Sequence, residues 1–576
     1  MDILESIHSH LRHRNLDQAV YDAMKSNDLS DVVMKVYDTM KKNNLLPATC
    51  KEMKSECQSN EFRKQGNKNL AESEYQKALM FYNVALLYAP NNSRAMKLAY
   101  GNRSALLYKF ELFTACLKDL EIVFSLGCPD DIAAKLKKRQ TACNERRWGE
   151  MLTESVFSSA HADEFFEFNV TRNPQIPCAS RAVGVKVEDD IPRVVAATAI
   201  GVGTVVAVEP AFASASHKGN HFFSCHYCHK MALNLIPCPQ CCYALFCGTE
   251  CLNKCMQDYH NIECHFAGKL KDCFRMCDLA TKGALKIWNL SKTWDNFILE
   301  SKNTGIGRIQ SSSINEVFDC KNKGSLLCFD EENFLVYGKM FNLSIGCAAI
   351  LHHLASVPSF LPKGRSSSQE ALRALARTMM GLCLFVPHSR MLQAVQNGEK
   401  STLGTHIVPN YGLFSFSGKL KNSCDPNLLA VGLDNKLALV AIKPIQPGTE
   451  LTVSYISHWT ETHSDDRACS LFAEFSVACN CTVCEENWDT DFLLGNDILT
   501  DEQAMCYRKL KVRQIQKEIS LPSNTPKYEK KIFNALSVLS DSPNCEAYYD
   551  VFCLFKRCML HYQLAYSRNV IVGALE

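Results

Sequence analysis

The chain has 576 residues, which is too long for a single hydrophobic core, so several domains are expected. Its 63 Lys and Arg residues nearly balance 61 Asp and Glu residues, and the two signs are dispersed along a chain of net charge +2. This balance argues against a chain-wide electrostatic surface for nucleic acid or for membrane.

The first residues predict no secretory signal, because charge begins at Asp2 and no apolar segment follows. Apolar runs such as Met379 to Pro387 are far shorter than the roughly 20 residues that span a bilayer. We therefore expect a soluble protein of the cytoplasm and nucleus. In that environment its 30 cysteines are expected to be reduced thiols and metal ligands rather than disulfides.

Residues 1–58 have a charged, helical pattern without a motif, and residues 59–148 match a tetratricopeptide repeat of about 34 residues. The matching positions are Phe62, Gly66, Ala78, Tyr82, Ala85 and Pro90. A weaker copy begins in YGNRSALLYK, and a basic helix over Asp131 to Arg147 is expected to cap the stack. An ordinary helical hairpin is the alternative. A repeat stack would bind peptide segments of partner proteins in its concave groove.

Residues 225–264 carry eight possible metal ligands in four pairs: Cys225 with Cys228, Cys238 with Cys241, Cys247 with Cys251, and His260 with Cys264. A tetrahedral Zn²⁺ takes four nitrogen or sulfur ligands, and short CxxC turns or i,i+4 helical pairs supply two each. The segment therefore predicts two closed structural sites, in which zinc contributes on the order of 10 kcal/mol to folding. Interleaved and sequential pairing both remain open, and Cys242 and Cys255 fall outside the pattern.

The remaining chain alternates β and helical patterns. Residues 180–222 predict short strands, with a turn at Gly201 and Gly203. Residues 265–395 are predominantly helical and include helices over Val336 to Ala355 and Gln369 to Leu382, with a linker over Pro362 to Ser368. Strands return in residues 396–456, and residues 491–576 are helical again.

A third group of thiols lies in residues 457–490, where Cys479, Cys481 and Cys484 form CNCTVC. Three thiolates lack one ligand for a closed structural site, so a distant fourth ligand is expected. Cys424 lies well before them, in KNSCDPN.

This order of motifs resembles the SET and MYND domain-containing (SMYD) family of protein-lysine methyltransferases, in the branch that carries leading tetratricopeptide repeats. The resemblance extends from Phe62 to Cys484. It implies an α+β multidomain protein with helical repeats, a split β-rich SET domain interrupted by a MYND zinc finger and a helical insert, a cysteine-rich post-SET segment and C-terminal helices.

The same resemblance implies how the metal ligands combine. The two finger sites would interleave, and Cys424 would complete the post-SET site. The implied sets are Cys225, Cys228, Cys247 and Cys251 on one Zn²⁺, Cys238, Cys241, His260 and Cys264 on a second, and Cys424, Cys479, Cys481 and Cys484 on a third.

The resemblance also implies methyl transfer from S-adenosylmethionine to a protein lysine. Tyr455, in SYI, matches the tyrosine that lines the lysine channel and lies beside the cofactor, and Asn397 matches a cofactor-contacting asparagine. Lys421 and Asn422 take the places of the family's Asn-His pair and are expected near the cofactor.

Several positions depart from the family pattern. Its Gly-x-Gly aligns with Ile191 and Arg193, and its second channel tyrosine aligns with Phe475. Val477 replaces an aromatic residue, and approximately six extra residues, Ser415 to Leu420, precede the cysteine box. A lysine at 421 would repel the cofactor's sulfonium by ~3 kcal/mol at about 5 Å and an effective dielectric near 20.

Two functions are therefore expected from the sequence. The first is a protein-lysine methyltransferase with an atypical cofactor pocket. The second is a weak or inactive adaptor that binds partner proteins through the repeat groove and the MYND finger and regulates gene expression. The finger has few Lys or Arg residues, which argues against direct nucleic-acid binding. We expect a monomer that does not bind membrane.

Overall fold

The structure is a computed structural model of the chain. The residues that it describes are 17–26, 28–49, 51–153, 159–168, 170–188, 191–216, 221–270, 275–302, 305–306, 328–329, 337–385, 410–475 and 477–566.

Two amino-terminal helices, α1 (Asp17–Met24) and α2 (Leu29–Lys42), open this part of the chain. The Asp28 carboxylate caps α2 by accepting a hydrogen bond from the Ser30 N–H, which has no partner within the helix. Apolar residues of α2 are buried against two long helices of the later insert. Residues 43–49 and 51–55 are not helical, so the helical expectation for residues 1–58 is too broad there.

Five helices form the predicted repeat region: α3 (Glu56–Ala71), α4 (Tyr75–Tyr88), α5 (Arg94–Lys109), α6 (Phe113–Ser125) and α7 (Asp130–Thr153). The first four pack as two hairpins, and α7 packs on α6. Gly66 lets the first hairpin close, because a Cβ at this position would lie 2.5 Å from the Tyr82 ring. Tyr82 is fully buried, as are Ala78 and Ala85, so these positions of the repeat pattern form the core of the stack.

The repeat stack is joined to the metal-ligand segment by a buried ion pair. Arg103 and Asp119 are both fully buried, with Arg103 Nη2 2.7 Å from Asp119 Oδ1. Arg103 Nη1 also donates to the Leu235 carbonyl at 2.9 Å, and Asn234 donates to Asp119 at 2.8 Å. Because each charge has a partner and the remaining hydrogen-bond positions are used, this contact fixes the stack against residues 234–235.

The β region is split by the metal-ligand segment. Its strands are β1 (Val183–Glu188), β2 (Ile191–Ala196), β3 (Val205–Pro210), β4 (Ser214–Ala215), β5 (Ile236–Pro237), β6 (Leu245–Phe246), β7 (Gly305–Ile306), β8 (Cys328–Phe329), β9 (Tyr411–Gly412), β10 (Lys421–Asn422), β11 (Leu428–Leu433), β12 (Lys436–Ala441) and β13 (Thr452–Val453). The order β11-β12-β3 gives an antiparallel sheet that joins the two halves. Asp434, with φ 56°, forms the turn between β11 and β12.

Short pairings at the edge of this region bring the sequence motifs together. β10 and β13 run parallel, with Lys421 opposite Thr452 and Asn422 opposite Val453. A bridge between Val195 and Glu450 connects the same edge to β2. The residues around SYI therefore lie beside the cysteine box.

The helical insert contains four long or medium helices: α12 (Arg275–Ser291), α13 (Trp294–Ser301), α14 (Tyr337–Ser356) and α15 (Arg365–Phe385). The predicted linker over Pro362 to Ser368 is wrong from Arg365 onward, because α15 begins there. Gly364, with φ +104°, precedes the helix and its carbonyl accepts the Ser368 N–H. The serines that suggested a linker form the first turn of the helix.

The carboxy-terminal helices cover one face of the split sheet. Phe533 approaches the β2–β3 turn closely, since a Cβ on Gly203 would lie 2.2 Å from its ring. The remaining helices are α8 (Ser159–Phe166), α9 (Thr249–Cys255), α10 (Asn261–Glu263), α11 (Ala267–Leu270), α16 (Ser464–Ser470), α17 (Thr482–Glu485), α18 (Asp501–Leu510), α19 (Val512–Glu518), α20 (Thr525–Leu539) and α21 (Glu546–Tyr566). Among the described helices, none combines the length and apolar composition that crossing a bilayer requires.

Candidate functional site

The first thiolate cluster combines a turn with the start of a helix. Its members are Cys225, Cys228, Cys247 and Cys251, and their sulfur atoms all lie within 4.8 Å of one another. Cys228 Sγ lies 3.7 Å from Cys247 Sγ, and Cys247 Sγ lies 3.5 Å from Cys251 Sγ. The CxxC turn of Cys225 and Cys228 therefore lies against Cys247, just before α9, and Cys251, on α9.

The second cluster combines the other two pairs, Cys238, Cys241, His260 and Cys264, whose ligand atoms also lie within 4.8 Å. The Sγ atoms of Cys238 and Cys264 are 3.8 Å apart, and Cys241 Sγ lies 3.6 Å from His260 Nε2. The segment thus brings together the interleaved sets, a choice that the spacing alone left open. Each of these two groups is able to hold a metal ion.

A buried carboxylate that the sequence did not single out orients His260. Glu263 Oε2 accepts hydrogen bonds from His260 Nδ1 at 2.5 Å and from His226 Nε2 at 2.9 Å. With Nδ1 held in this way, Nε2 is the nitrogen that faces the thiolates. Cys255, which the sequence pattern did not include, lies close to the same histidines. The ligand atoms of His226, Cys255 and His260 are all within 4.8 Å of one another. Only the i,i+3 spacing of Glu263 from His260 could have suggested its role.

The third cluster joins the cysteine box to the CNCTVC segment. Cys424, Cys479, Cys481 and Cys484 have sulfur atoms within 4.8 Å of one another, with Cys424 Sγ 3.6 Å from Cys484 Sγ. The Cys424 N–H also donates to Cys481 Sγ at 3.4 Å. This arrangement supplies the distant fourth ligand that three closely spaced thiolates required.

Asn422 connects the third cluster to the predicted channel tyrosine. Its Nδ2 donates to Cys479 Sγ at 3.2 Å, and its Oδ1 accepts the Tyr455 N–H at 2.9 Å. The Tyr455 hydroxyl donates to the Leu420 carbonyl at 2.6 Å, and its ring lies 5.4 Å from the Phe475 ring. Both polar ends of the nearly buried Asn422 side chain are therefore engaged by protein atoms.

A cavity of about 270 Å³ lies between the cysteine box and the post-SET segment. Its lining includes Lys421, Asn422, Asp425, Glu450, Asn480 and Glu485. Three carboxylates and one ammonium group line it, and Lys443 and Arg193 pair with Asp425 and Glu450 from outside the lining. The cavity is a candidate binding site for a polar ligand.

Glu450 lies within ion-pair distance of two basic residues that depart from the family pattern, Arg193 and Lys421. Its Oε1 lies 3.1 Å from Arg193 Nη1, and its Oε2 lies 3.9 Å from Lys421 Nζ. The repulsion expected from Lys421 is therefore opposed by a carboxylate at ion-pair distance. This contact could not be predicted from the sequence, because residues 193, 421 and 450 are brought together only by strand pairing.

The extra residues before the cysteine box are held by a fully buried carboxylate. Glu209 accepts hydrogen bonds from the N–H groups of Phe416 and Ser417, each at 2.8 Å, and from the Ser417 hydroxyl at 2.6 Å. Glu209 is the last residue but one of β3, so the insertion is tied to the first half of the split region. Of the predicted site residues, Asn397 lies outside the described residues.

Comparison with known proteins identifies the split region. The family model for the SET domain matches residues 193–456. Protein-lysine N-methyltransferase SMYD4 of Danio rerio is 29% identical over 247 residues, covering 40% of this chain and 32% of that protein. The SMYD4 protein of Pongo abelii is 24% identical over 541 residues, covering 74% of this chain and 66% of that protein.

The chain is also similar to a second SMYD protein. Histone-lysine N-methyltransferase SMYD3 of Homo sapiens is 23% identical over 294 residues, covering 51% of this chain and 59% of that protein. The chain spans between 32% and 66% of the length of these three curated relatives. The chain therefore contains a SET domain and is related at low identity to the SMYD4 proteins of the SMYD family over 74% of its length.

Proposed function

We propose that this protein is a protein-lysine N-methyltransferase that uses S-adenosylmethionine. The observation that carries the proposal is the cavity between the SET strands and the third thiolate cluster, whose lining residue Asn422 holds the Tyr455 N–H. S-Adenosylmethionine supplies an electrophilic methyl group on a positively charged sulfur. Asp425 and Glu450 are already paired with basic residues, so Glu485 is the lining carboxylate that we assign to this cation.

The basic residues near the cavity are compatible with this ligand. The Glu450 carboxylate lies within ion-pair distance of both Arg193 and Lys421, so a negative charge lies beside each of these positive charges. Asn422 would act mainly as a positioning residue, because its side chain holds the Tyr455 backbone against Cys479. Lys421, which is partly exposed, remains able to reach a ligand carboxylate at the mouth of the cavity.

Tyr455 is the residue that we assign to the lysine substrate. Its hydroxyl hydrogen is committed to the Leu420 carbonyl, so the oxygen retains lone pairs that accept a hydrogen bond from a lysine amine. Phe475 faces Tyr455 and offers an apolar surface without a second hydroxyl. The pair would orient a neutral amine and exclude water, which are the contributions that methyl transfer requires of the protein.

We further propose that the three thiolate clusters each hold a structural Zn²⁺. The quoted sulfur-to-sulfur distances within the clusters, from 3.5 to 3.8 Å, fit a tetrahedron with metal–sulfur bonds of about 2.3 Å, whose edges are about 3.8 Å. Cys424→Ser should lower the zinc content of the purified chain from three to two. Cys178→Ser, which changes a buried cysteine outside the clusters, should leave three. An unchanged zinc content in Cys424→Ser would contradict the third site.

Methyl transfer is tested with radiolabelled S-adenosylmethionine on an array of lysine-containing peptides and proteins. The wild-type chain should label a lysine, and Tyr455→Phe should reduce the rate by at least about tenfold while zinc content stays at three. Retained labelling by Tyr455→Phe at the wild-type rate would contradict the role given to Tyr455.

A non-catalytic adaptor is the second candidate function. It is favoured by Phe475, which lacks the hydroxyl of a second channel tyrosine, and by Asn422, whose polar atoms are engaged. The buried contact between Arg103 and Leu235 would then hold two peptide-binding units, the repeats and the finger, in one orientation. Absence of labelling on every peptide, together with absence of cofactor binding, would support this function over the first.

A further inference from the structure

Three cysteines that belong to none of the clusters above meet inside the helical insert. Cys277 lies on α12, Cys347 on α14 and Cys383 on α15, and all three are fully buried. Cys383 Sγ lies 3.9 Å from Cys347 Sγ and 4.0 Å from Cys277 Sγ. All three sulfur atoms lie within 4.8 Å of one another. Three separate helices therefore place one thiol each at the same point of the bundle.

The spacing of these sulfur atoms differs from that of the clusters assigned to zinc. In the latter, the sulfur-to-sulfur distances quoted above run from 3.5 to 3.8 Å. Three thiolates in a plane around one ion, with bonds of about 2.3 Å, are separated by about 4.0 Å. The distances of 3.9 and 4.0 Å around Cys383 fit this trigonal arrangement.

The surroundings of the three thiols include a further sulfur atom and, near Cys383, the Lys339 ammonium group. Met379 lies one turn before Cys383 on α15, and its Sδ accepts a hydrogen bond from Thr281 Oγ1 at 3.7 Å. Thr281 lies one turn after Cys277 and also donates to the Cys277 carbonyl at 2.6 Å. Among the described residues, no histidine or carboxylate joins this group of ligand atoms.

We propose that Cys277, Cys347 and Cys383 form a buried trigonal binding site for Cu(I), separate from the three zinc sites. Thiolate and thioether donors select Cu(I), whereas a closed Zn²⁺ site takes a fourth ligand that this group lacks. Each thiolate–metal bond releases one thiol proton to solvent, and no electron is transferred when the ion arrives as Cu(I). The ion would link α12, α14 and α15 and stabilise the insert.

Ordinary core packing is the alternative, because a free cysteine behaves as a small apolar residue. The two explanations differ in metal content. The test uses the full-length, zinc-loaded chain, kept anaerobic, and titrates Cu(I) against a chromogenic Cu(I) chelator while zinc release is measured. The wild-type chain should take up one Cu(I) and retain its zinc. X-ray absorption should find three sulfur neighbours at about 2.3 Å.

The matched variants separate this site from the other thiols. The triple variant Cys277→Ala, Cys347→Ala and Cys383→Ala should take up no Cu(I) while its zinc content is unchanged, which also shows that the chain has folded. Cys545→Ala and Cys558→Ala change buried cysteines elsewhere and should bind Cu(I) as the wild type does. Equal Cu(I) uptake by the triple variant would overturn the proposal, and so would uptake by the wild type that expels an equal amount of zinc. If the triple variant does not fold, X-ray absorption on the wild type decides alone, and fewer than three sulfur neighbours would overturn the proposal.

Discussion

The Asn422 side-chain amide donates a hydrogen bond to Cys479 Sγ across 3.2 Å. The same side chain holds the Tyr455 N–H through its Oδ1, so one residue joins the third thiolate cluster to the tyrosine assigned to substrate. The third thiolate cluster is therefore connected directly to the proposed methyl-transfer site.

We predict that Asn422→Asp weakens the third metal site. A carboxylate would replace a hydrogen-bond donor beside the Cys479 thiolate, so the two negative groups would repel each other. Competition with a zinc-binding dye should show faster loss of one zinc of the three. Asn480→Asp adds the same charge at the exposed neighbour of Cys479 and should retain three zinc ions for longer. Equal release from both variants would contradict the connection.

The second prediction concerns the carboxylate that orients His260. Glu263→Gln removes the negative charge that holds His260 Nδ1, so zinc affinity at the second site should fall by about 10- to 100-fold. Chelator competition followed by zinc quantification measures this loss. Glu250→Gln, on the exposed face of α9, changes the same type of residue without touching a ligand and serves as the control. Wild-type zinc affinity in Glu263→Gln would contradict the role assigned to Glu263 at the second site.

The third prediction compares two glycines of the repeat helices. Gly66→Ala places a methyl group 2.5 Å from the Tyr82 ring and should lower the free energy of unfolding by about 1–3 kcal/mol. Gly101→Ala meets its nearest neighbour, Leu136, at 3.7 Å, an ordinary contact. In a helix interior that substitution should be neutral or stabilise the protein by up to about 1 kcal/mol. Thermal unfolding monitored by circular dichroism distinguishes them, and equal melting temperatures would count against the close hairpin packing.

The fourth prediction is a pH dependence at the contact between α2 and α15. Burial acts to raise the pKa of Asp28, but hydrogen bonds from Arg377 and from the Ser30 N–H lower this pKa to about 2. A lowered pKa in the folded state stabilises the protein above the ordinary value of 3.8. That stabilisation is lost as the pH falls from 3.8 toward 2. Because the pair is partly exposed and screened by water, we expect its contribution to be about 1 kcal/mol.

Asp28→Asn isolates this contribution, since asparagine still caps a helix but carries no charge. Urea unfolding should show the variant less stable than the wild type at pH 7. The difference should shrink once the pH falls below 4. A difference that stays constant over this range would mean that the charge of Asp28 does not matter.

The sequence predicted the parts of this molecule that depend on local spacing. Residues that are close in sequence are held together by the local backbone. Pairs such as Cys225 with Cys228, or Gly66 with Tyr82, can therefore be recognised from their spacing before the fold is known. The start of α15 was missed because serines and a glycine favour both a linker and a helix terminus.

The contacts that determine the site come from tertiary pairing. Glu450 reaches Arg193 and Lys421 only because β2 and β10 lie at the same edge of the split region. Glu209 reaches Phe416 and Ser417 for a related reason, because β3 lies next to the insertion. Nothing in the spacing of these acidic residues separates them from the other Asp and Glu residues of a chain that has 61.

The most direct test of the account is calorimetric titration of the zinc-loaded chain with S-adenosylmethionine. We predict binding at micromolar concentration by the wild type. Glu450→Gln should weaken the affinity by at least about tenfold, because the Lys421 ammonium group in the cavity lining would then face the cationic ligand without its paired carboxylate. Absence of binding by the wild type at millimolar cofactor would contradict the proposed methyltransferase, and wild-type affinity in Glu450→Gln would contradict the role assigned to that carboxylate.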